Sequence, residues 1–368
     1  MFNILTLNKI AAVGTSRLGD NYAYGDDVQN PDAVLVRSAA MHDMQFEDNL
    51  LAIARAGAGT NNIPKDVCSE KGIVVFNTPG ANANAVKELV IAGLLLSSRR
   101  VMEGADWAKT LKGNGDAVGK MVEKGKSQFV GPEIKGKTLG VIGLGAIGIL
   151  VANCAVALGM DVIGFDPFMS VTNALKLNPA VKLMKSGEDV MVNCDYLTIH
   201  VPLTADTKDM VDADMIAKMK DGVRILNFSC DGLVNSTDFA TDDIIGDDNI
   251  ICLPHLGAST PESEDNCAIM ACDELKEYLE NGNIVNSVNY PALSLARTNT
   301  ENVRFCVMHK NVPELLKKVL SEVKGNVENM LSKSRGDYAY AIIDVAGGNP
   351  ENAAAIAAIE GVIRVRAI

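Results

Sequence analysis

Residues 143–148 read Gly143-Leu144-Gly145-Ala146-Ile147-Gly148, a G-x-G-x-x-G stretch that lies between two apolar segments. The segment before it, residues 137–142, is predicted to be a strand, and residues 146–158 are predicted to form a helix. In this context Gly143 allows a tight turn, Gly145 lets the backbone approach a pyrophosphate, and Gly148 lets helix and strand pack closely. The helix N-terminus at Ala146 and Ile147 offers free N–H groups to phosphates. The stretch therefore predicts a dinucleotide-binding α/β unit.

The next predicted strand ends at Asp166, about 20 residues after the glycines, where a carboxylate can accept hydrogen bonds from both ribose hydroxyls. No Arg or Lys follows until Lys176, so nothing nearby would neutralise a 2′-phosphate. The predicted cofactor is therefore NAD rather than NADP.

His255 follows an apolar run, residues 249–253, that is predicted to be a strand, and it precedes a long predicted helix, residues 261–280. Ligands of open α/β sheets bind beyond the carboxyl ends of the strands. A histidine there can exchange the hydroxyl proton while a hydride moves to or from a nicotinamide. A purely structural histidine remains the alternative at this stage.

The first third of the chain alternates predicted buried strands (residues 33–37, 51–55 and 73–77) with helical stretches, an order that favours a parallel sheet. Arg37-Ser38 and the Gly-rich residues 57–60 follow two of these strands. Backbone N–H groups of such a turn, with an arginine beside them, can hold an anion. An ordinary surface turn is the competing interpretation.

Composition narrows the function classes. The net charge is −12 and Trp107 is the only tryptophan, so a nucleic-acid partner is not expected. No apolar run is long enough for a membrane span, no leader pattern opens the sequence, and a cytoplasmic protein is expected. The eight cysteines form no repeated C-x-x-C pair, so no metal site is predicted.

Residues 303–368 show a β-α-β-β-α-β order of the ferredoxin-like kind, after a linker at 288–302. The predicted fold is α/β: a Rossmann-type doubly wound parallel sheet inserted in a flavodoxin-like substrate domain, followed by a small α+β domain. The expected boundaries are 1–97 with 275–292 for the substrate domain, 98–274 for the NAD domain, and 302–368 for the tail.

The motifs together resemble the D-isomer-specific 2-hydroxyacid dehydrogenases over nearly the whole chain. They are Val36-Arg37-Ser38, Ala56-Gly57-Ala58-Gly59, Phe76-Asn77-Thr78-Pro79, Glu88-Leu89-Val90, Gly143 to Gly148, His200-Val201-Pro202-Leu203, Leu226-Asn227-Phe228-Ser229 and Pro254 to Thr260. The tail, with His309-Lys310-Asn311-Val312-Pro313, resembles an ACT regulatory domain and narrows the likeness to the branch that oxidises 3-phosphoglycerate to 3-phosphohydroxypyruvate for serine synthesis.

The resemblance implies that His255 is the proton donor. It also implies which residues contact NAD and which contact the substrate. The expected NAD contacts are Gly143, Gly145, Ala146, Ile147, Gly148, Asp166, His200, Pro202, Phe228, Ser229, Gly257 and Ala258. The expected substrate contacts are Arg37, Ser38, Ala58, Gly59 and Asn82.

The sequence departs from the family pattern at the catalytic positions. The family has an arginine directly after the Asn-Phe-Ala/Ser stretch, and here that position is Cys230. A thiol offers one weak donor and no charge in place of a bidentate cation. Residues 229–248 are also too few for the family's β-α step, and Asp242 stands where the family has a glutamate that orients the histidine. In the tail, Glu314 replaces the glycine that usually follows the proline.

These departures leave three hypotheses open. The first is an NAD-dependent dehydrogenase of 3-phosphoglycerate, with Cys230 at the catalytic position. The second is a catalytically impaired relative that binds NAD or an amino acid as a sensing module. The third is a dehydrogenase of another D-2-hydroxy acid. A homo-oligomer is expected from the family, and an amino-acid effector could bind the C-terminal domain.

Overall fold

The computed structural model describes residues 1–235, 250–254 and 256–368. Contacts divide the chain into two compact units, residues 1–82 with 260–368, and residues 83–259. The finer boundaries expected from the sequence remain predictions. None of the described helices is long and apolar enough to cross a membrane.

The first unit contains a five-stranded parallel sheet built from the apolar runs near the N-terminus. Its strands are β1 (Phe2–Leu7), β2 (Tyr22–Gly25), β3 (Ala33–Val36), β4 (Ala52–Arg55) and β5 (Val74–Asn77). The order β2-β1-β3-β4-β5 is flavodoxin-like, as predicted, although the sequence pattern had not revealed β1 or β2. Leu7 pairs with Val36, Val36 with Arg55, and Arg55 with Asn77, so these four strands end level.

Three helices belong to this sheet: α1 (Ala12–Thr15), α2 (Lys65–Glu70) and the 21-residue α10 (Pro261–Asn281). The apolar side of α10 is buried with the sheet, and the Tyr278 ring lies 5.7 Å from that of Phe76. At the helix start, the Thr260 hydroxyl accepts the Ser263 N–H at 3.1 Å and Pro261 occupies the first turn. Both are favourable helix-start features, so the N-terminus of α10 is well defined.

The second unit contains another five-stranded parallel sheet. Its strands are β6 (Thr138–Ile142), β7 (Asp161–Phe165), β8 (Lys182–Leu183), β9 (Tyr196–Ile199) and β10 (Arg224–Asn227). Among the described residues the order is β10-β9-β6-β7-β8, which is the strand order of a Rossmann sheet. The predicted strand at 249–253 does not form over its described part, because residues 250–254 carry no strand pairing.

Seven α-helices lie in the described part of the second unit. They are α3 (Ala83–Ser98), α4 (Val101–Thr110), α5 (Val118–Gly125), α6 (Ala146–Ala157), α7 (Val171–Lys176), α8 (Gly187–Met191) and α9 (Ala213–Lys218), with 3₁₀ turns at Gly115–Ala117 and Lys126–Phe129. Val86, Val90 and Leu94 of α3 pack into the same core as β6 and α6. The apolar side of this helix therefore faces the core of the second unit.

The tail forms a four-stranded antiparallel sheet with two helices. The elements are β11 (Val303–Lys310), α11 (Leu315–Glu322), β12 (Asn326–Arg335), β13 (Tyr338–Ala346), α12 (Asn352–Ala357) and β14 (Val362–Ala367). The order β12-β13-β11-β14 confirms the predicted ferredoxin-like arrangement. One face packs on α11 and α12, and the other joins the core of the first sheet and α10.

Side chains from this C-terminal sheet hydrogen-bond to the last carbonyl groups of α10. Arg366 donates to the carbonyls of Tyr278 (3.0 Å) and Leu279 (2.6 Å). Arg304 donates to the carbonyl of Asn281, and Tyr340 to that of Gly282. The Tyr278 carbonyl also accepts the Gly282 N–H at 2.9 Å, and the carbonyls at a helix end in general lack helical donors. Cations there also interact favourably with the helix dipole. The sheet therefore stabilises the end of α10.

The predicted linker at 288–302 is buried at its start and largely exposed further on. Tyr290 is fully buried, and its hydroxyl donates to the carbonyl of Ser69 at 2.7 Å. The Asn289 amide donates to the carbonyl of Ile73. The buried polar groups at the start of the segment therefore have partners, whereas most of residues 292–301 are exposed.

Candidate active site

The glycine turn follows β6 and opens α6, as predicted. Gly143 has φ +88°, and a Cβ there would lie 2.5 Å from the carbonyl oxygen of His200. A Cβ on Gly148 would overlap the carbonyl oxygen of Gly143. In contrast, a Cβ on Gly145 would meet nothing within 4 Å. Gly143 and Gly148 are thus required by the protein's own packing, whereas Gly145 borders open space.

The first turn of α6 faces this open space with backbone donors. Gly145 is the residue before the helix, and the N–H of Ile149 is the first to bond back to it. The N–H groups of Ala146, Ile147 and Gly148 therefore precede the helical hydrogen-bond ladder. No acidic side chain lies in this turn. The turn fits a dinucleotide pyrophosphate, because donors, a positive dipole end and room coincide.

Asp166 follows β7 and is tied to the same turn. One carboxylate oxygen accepts the Leu144 N–H at 2.9 Å, and the other accepts the Phe168 N–H at 2.8 Å. Each oxygen keeps a further acceptor position, so both can still take hydrogen bonds from ribose hydroxyls. The carboxylate predicted to hold the ribose is therefore oriented beside the pyrophosphate turn.

His200 lies at the end of β9, next to the glycine turn. Its backbone N–H donates to the carbonyl of Ile142 at 2.7 Å, and its ring Nε2 is 2.9 Å from the Thr198 hydroxyl. Its Nδ1 is buried without a hydrogen-bond partner among the described residues. Burial lowers the pKa of His200 to about 4, so the ring is neutral near pH 7 and adds no charge to the site.

The other predicted NAD contacts of this unit lie on loops and strand ends. The Phe228 ring packs against Gly93 of α3, where a Cβ would come within 2.6 Å of it. The Ser229 hydroxyl donates to the carbonyl of Ile199 at 2.8 Å. Pro202 is exposed, and Gly257 and Ala258 are half-buried. Their roles at a cofactor remain predictions.

Cys230 is an exposed thiol just beyond β10. The Asn227 amide donates to the carbonyl of Cys230 at 3.0 Å, and the Asn227 side-chain oxygen accepts the Ser229 N–H at 3.1 Å. This short turn fixes the backbone at the position where the family has its arginine. His255 and Asp242, the other two predicted catalytic residues, lie outside the described residues.

The predicted substrate residues of the first unit gather at the carboxyl edge of its sheet. Arg37 follows β3, and its guanidinium Nη2 lies 2.8 Å from Oε1 of Glu264, in the first turn of α10. The N–H groups of Ser38 and Ala39 both donate to the side-chain oxygen of Asn8, at 2.9 and 2.7 Å. Asn82 is half-buried at the end of this unit's N-terminal segment.

Arg55 is a candidate site residue that the sequence did not single out. It ends β4, its Nε donates to the carbonyl of Arg37 at 2.9 Å, and its Nη1 would lie 2.8 Å from a Cβ on Gly57 and 3.5 Å from one on Gly59. Burial lowers the pKa of Arg55, and the positive charge of Arg37 lowers it further. Its position directly before the Gly-rich loop was the available signal.

The loop itself is held from the neighbouring strand. The Asn77 amide donates to the carbonyl of Ala58 at 2.5 Å, and the Thr78 N–H donates to that of Gly57 at 3.1 Å. Two guanidinium groups and a fixed glycine loop thus share one sheet edge. Of the described carboxylates, Glu264 is the one ion-paired with this cluster. The edge is suited to an anion with more than one charged group.

Comparisons with known proteins agree with this geometry. Residues 91–242 match the family model for the NAD-binding domain of D-isomer-specific 2-hydroxyacid dehydrogenases. A putative D-3-phosphoglycerate dehydrogenase of Schizosaccharomyces pombe is 30% identical, over 83% of this chain and 71% of its own length. D-3-phosphoglycerate dehydrogenase 1 of Saccharomyces cerevisiae is 29% identical, over 82% and 70%.

A solved structure shares the fold. The NAD⁺-bound 3-phosphoglycerate dehydrogenase of Entamoeba histolytica superposes with a TM-score of 0.58 at 23% identity, over 79% of this chain and 99% of that one. At this identity the likeness concerns the fold. The predicted combination of parallel α/β sheets is therefore confirmed.

Proposed function

Because the chain belongs to the D-isomer-specific 2-hydroxyacid dehydrogenases, we propose that it oxidises the C2 hydroxyl of 3-phosphoglycerate to 3-phosphohydroxypyruvate with NAD, the first step of serine synthesis. The observation that carries the substrate is the arginine pair, Arg37 and Arg55, with one ion-paired carboxylate among the described residues. A phosphorylated hydroxy acid has two anionic groups, and a plain one has only its carboxylate. The curated relatives are named for the same substrate.

The chain's residues divide the work of this reaction. Bound NAD would supply the acceptor for the hydride that leaves C2. The donors of the α6 turn and the Asp166 carboxylate bind the cofactor's pyrophosphate and ribose. Arg37 and Arg55 bind and orient the substrate anion, and His255 accepts the hydroxyl proton in the oxidation direction. The assignment of His255 and of Asp242 as its partner rests on the sequence motif and the family resemblance.

Cys230 sets the expected rate. In the family, the arginine at this position grips the substrate carboxylate and polarises the carbonyl. A thiol cannot form that charged fork, and the missing transition-state stabilisation should lower turnover roughly a hundredfold. The enzyme is therefore expected to be slow, with Cys230 as the main cause.

The test is NADH formation from 3-phosphoglycerate by this chain, Cys230→Arg and Cys230→Lys. We expect slow turnover by the chain itself, at least a tenfold gain in Cys230→Arg, and a smaller gain in Cys230→Lys, which has the charge without the fork. D-glycerate and D-lactate serve as plain substrates. Absence of turnover in all three proteins at high enzyme concentration would reject this function.

Cys230 also favours a second candidate function, a catalytically impaired relative that binds NAD as a sensing module. This reading requires NAD binding by calorimetry together with no turnover by the unmodified chain. A rescue of turnover by Cys230→Arg would then identify the lost catalytic contact. Faster turnover with D-lactate than with 3-phosphoglycerate would instead support a dehydrogenase of another D-2-hydroxy acid.

Regulation, assembly and location are further parts of the proposal. An amino-acid effector at the C-terminal domain would meet Glu314, which has φ +63°, the conformation that a glycine favours, and pairs with Lys317 at 2.9 Å. The carboxylate of Glu314 would repel that of an amino acid, so weak or absent serine inhibition is expected. Size measurement in solution tests the homo-oligomer, and cell fractionation tests the cytoplasmic location.

A further inference from the structure

We propose that Glu264 is a positioning residue that holds Arg37 ready for the substrate anion. This inference rests on the proposed function, since it concerns how the same site binds 3-phosphoglycerate. It is carried by the 2.8 Å contact between Arg37 Nη2 and Glu264 Oε1, by the neighbouring charge of Arg55, and by the way α10 is anchored.

Hydrogen bonds fix the backbone of Arg37, but they do not hold its guanidinium in place. The carbonyl of Arg37 accepts from Arg55 Nε, and the next N–H, of Ser38, donates to Asn8. The Arg37 side chain is 41% exposed, and the positive charge of Arg55 is near it. Without a counter-charge, this repulsion and the side chain's rotamer freedom would both favour a position out in solvent.

Glu264 supplies the counter-charge and leaves most of the guanidinium free. The shortest contact of the ion pair joins Nη2 of Arg37 to Oε1 of Glu264. A guanidinium has five N–H donors in a fixed fork, so a bidentate face remains for a phosphate or carboxylate. The geometry thus suits orientation of Arg37 rather than its occlusion.

The helix that carries Glu264 is held at both ends. Thr260 caps its start, and the Glu264 N–H donates to the carbonyl of Thr260 at 3.1 Å. Its last carbonyls accept from Arg304, Arg366 and Tyr340 of the C-terminal sheet. The first turn therefore keeps Glu264 in reach of Arg37, and the contact does not depend on a mobile surface helix.

The decisive experiment compares Glu264→Ala, Glu264→Gln and the control Glu262→Ala in the full chain. Glu262 is an exposed acid of the same helix turn without an ion pair in the described structure. We expect Glu264→Ala to raise KM for 3-phosphoglycerate about two- to fivefold, the strength of an exposed ion pair, with kcat within twofold. Glu264→Gln keeps an acceptor oxygen and should recover part of the loss. Calorimetric Kd values in the presence of NAD give the same comparison without turnover.

Two further measurements separate positioning from a general effect. In an Arg37→Ala background, adding Glu264→Ala should leave KM unchanged, because the residue acts through Arg37. In the protein without substrate, phenylglyoxal should label Arg37 at least twofold faster in Glu264→Ala than in the parent chain, read by peptide mass spectrometry. Unfolding temperatures of all variants should agree within a few degrees.

The outcomes are distinguishable. An unchanged or lower KM in Glu264→Ala, an equal effect of Glu262→Ala, or equal labelling of Arg37 overturns the positioning role while the proposed function stands. Failure of the parent chain and all variants to bind 3-phosphoglycerate rejects the proposed function and the substrate named here. In that case the labelling rates still decide whether Glu264 holds Arg37.

Discussion

The two parallel sheets differ in the groups that they present at the point where their strand order reverses. In the second unit, β6 and β9 end in the glycine turn and a neutral His200, and the first N–H groups of α6 have no helical partner. In the first unit, β1 and β3 end at Asn8 and Arg37, and the Asn8 oxygen already accepts the N–H groups of Ser38 and Ala39. Similar architecture therefore leads to two different kinds of edge.

This difference teaches how each edge can bind an anion. The second sheet keeps its backbone donors open, so it can bind a pyrophosphate without a charged side chain. In the first sheet the N–H groups of Ser38 and Ala39 are used internally, and the guanidinium groups of Arg37 and Arg55 lie at the same edge. The proposed substrate anion would therefore be bound with the help of charged side chains, whereas the proposed cofactor pyrophosphate would be bound by backbone donors.

The largest expected effect comes from the glycine turn. In Gly148→Ala, the new methyl group would overlap the backbone carbonyl of Gly143, which cannot move aside as a flexible side chain could. We expect the free energy of unfolding to fall by more than about 3 kcal/mol. Gly145→Ala meets no protein atom, so its unfolding temperature should match the parent, but NADH binding should weaken at least tenfold. Calorimetry and thermal unfolding check both. Equal NADH affinity of Gly145→Ala would show that the phosphates do not lie at this turn.

At the carboxyl edge of the first sheet, Arg55→Ala should raise KM for 3-phosphoglycerate about tenfold or more. The reason is that the charge-assisted hydrogen bond between the Arg55 guanidinium and the substrate anion is lost. Arg55→Lys keeps the charge without the fork and should be intermediate. Arg17→Ala, which removes an exposed arginine paired with Asp273, is the matched control and should leave KM unchanged. A response of Arg17→Ala equal to that of Arg55→Ala would contradict a local role.

A substitution at Asn8 tests the hydrogen bonds that occupy the N–H groups of Ser38 and Ala39, with a smaller expected effect. Asn8→Gly keeps the left-handed backbone (φ +70°) but removes the acceptor of two N–H groups, and should cost about 1–2 kcal/mol of unfolding free energy. Asn30→Gly is the control, since Asn30 also has positive φ (+48°). Urea denaturation measures both. Equal effects of the two substitutions would mean that the hydrogen bonds to Asn8 add nothing.

The two units are also expected to differ in how their stability depends on pH. Burial raises the pKa of Glu274 in α10 to about 8, above its unfolded value of 4.5, so its stabilising contribution is present below pH 4.5 and is lost as the pH rises to 8. The pKa of His200 is lowered to about 4 from 6.5, so its contribution is present above pH 6.5 and is lost as the pH falls to 4. Each group changes the free energy of unfolding by at most about 1.4 kcal/mol per pH unit.

Hydrogen exchange at pH 5 and pH 8 can resolve these opposite trends. The first unit should lose protection at pH 8 and Glu274→Gln should restore it, because the amide cannot ionise. The second unit should lose protection at pH 5 and His200→Gln should reduce that loss. Parallel pH responses in both units, or no change on Glu274→Gln, would contradict the assignment of the trends to these two groups.

The sequence by itself determined the features that are local in the chain. The glycine turn, Asp166 and the ferredoxin-like tail could be read because a turn, a strand end and an apolar period each depend on neighbouring residues. The apolar run at 249–253 is predicted to be a strand, but its described residues, 250–253, lie in neither a helix nor a strand. A strand forms only where another segment pairs with it, and that pairing depends on residues distant in the sequence.

Tertiary structure alone decided the rest. Arg55 is a candidate site residue because β4 lies beside β3, and Glu264 contacts Arg37 although the two are distant in sequence. The Arg304, Tyr340 and Arg366 contacts that cap α10 also depend on long-range packing. Charge partners and helix caps from remote segments leave no periodic signal in a single sequence. The glycine turn could therefore be predicted from the sequence, whereas Arg55 and Glu264 at the proposed substrate edge could be identified only from the tertiary structure.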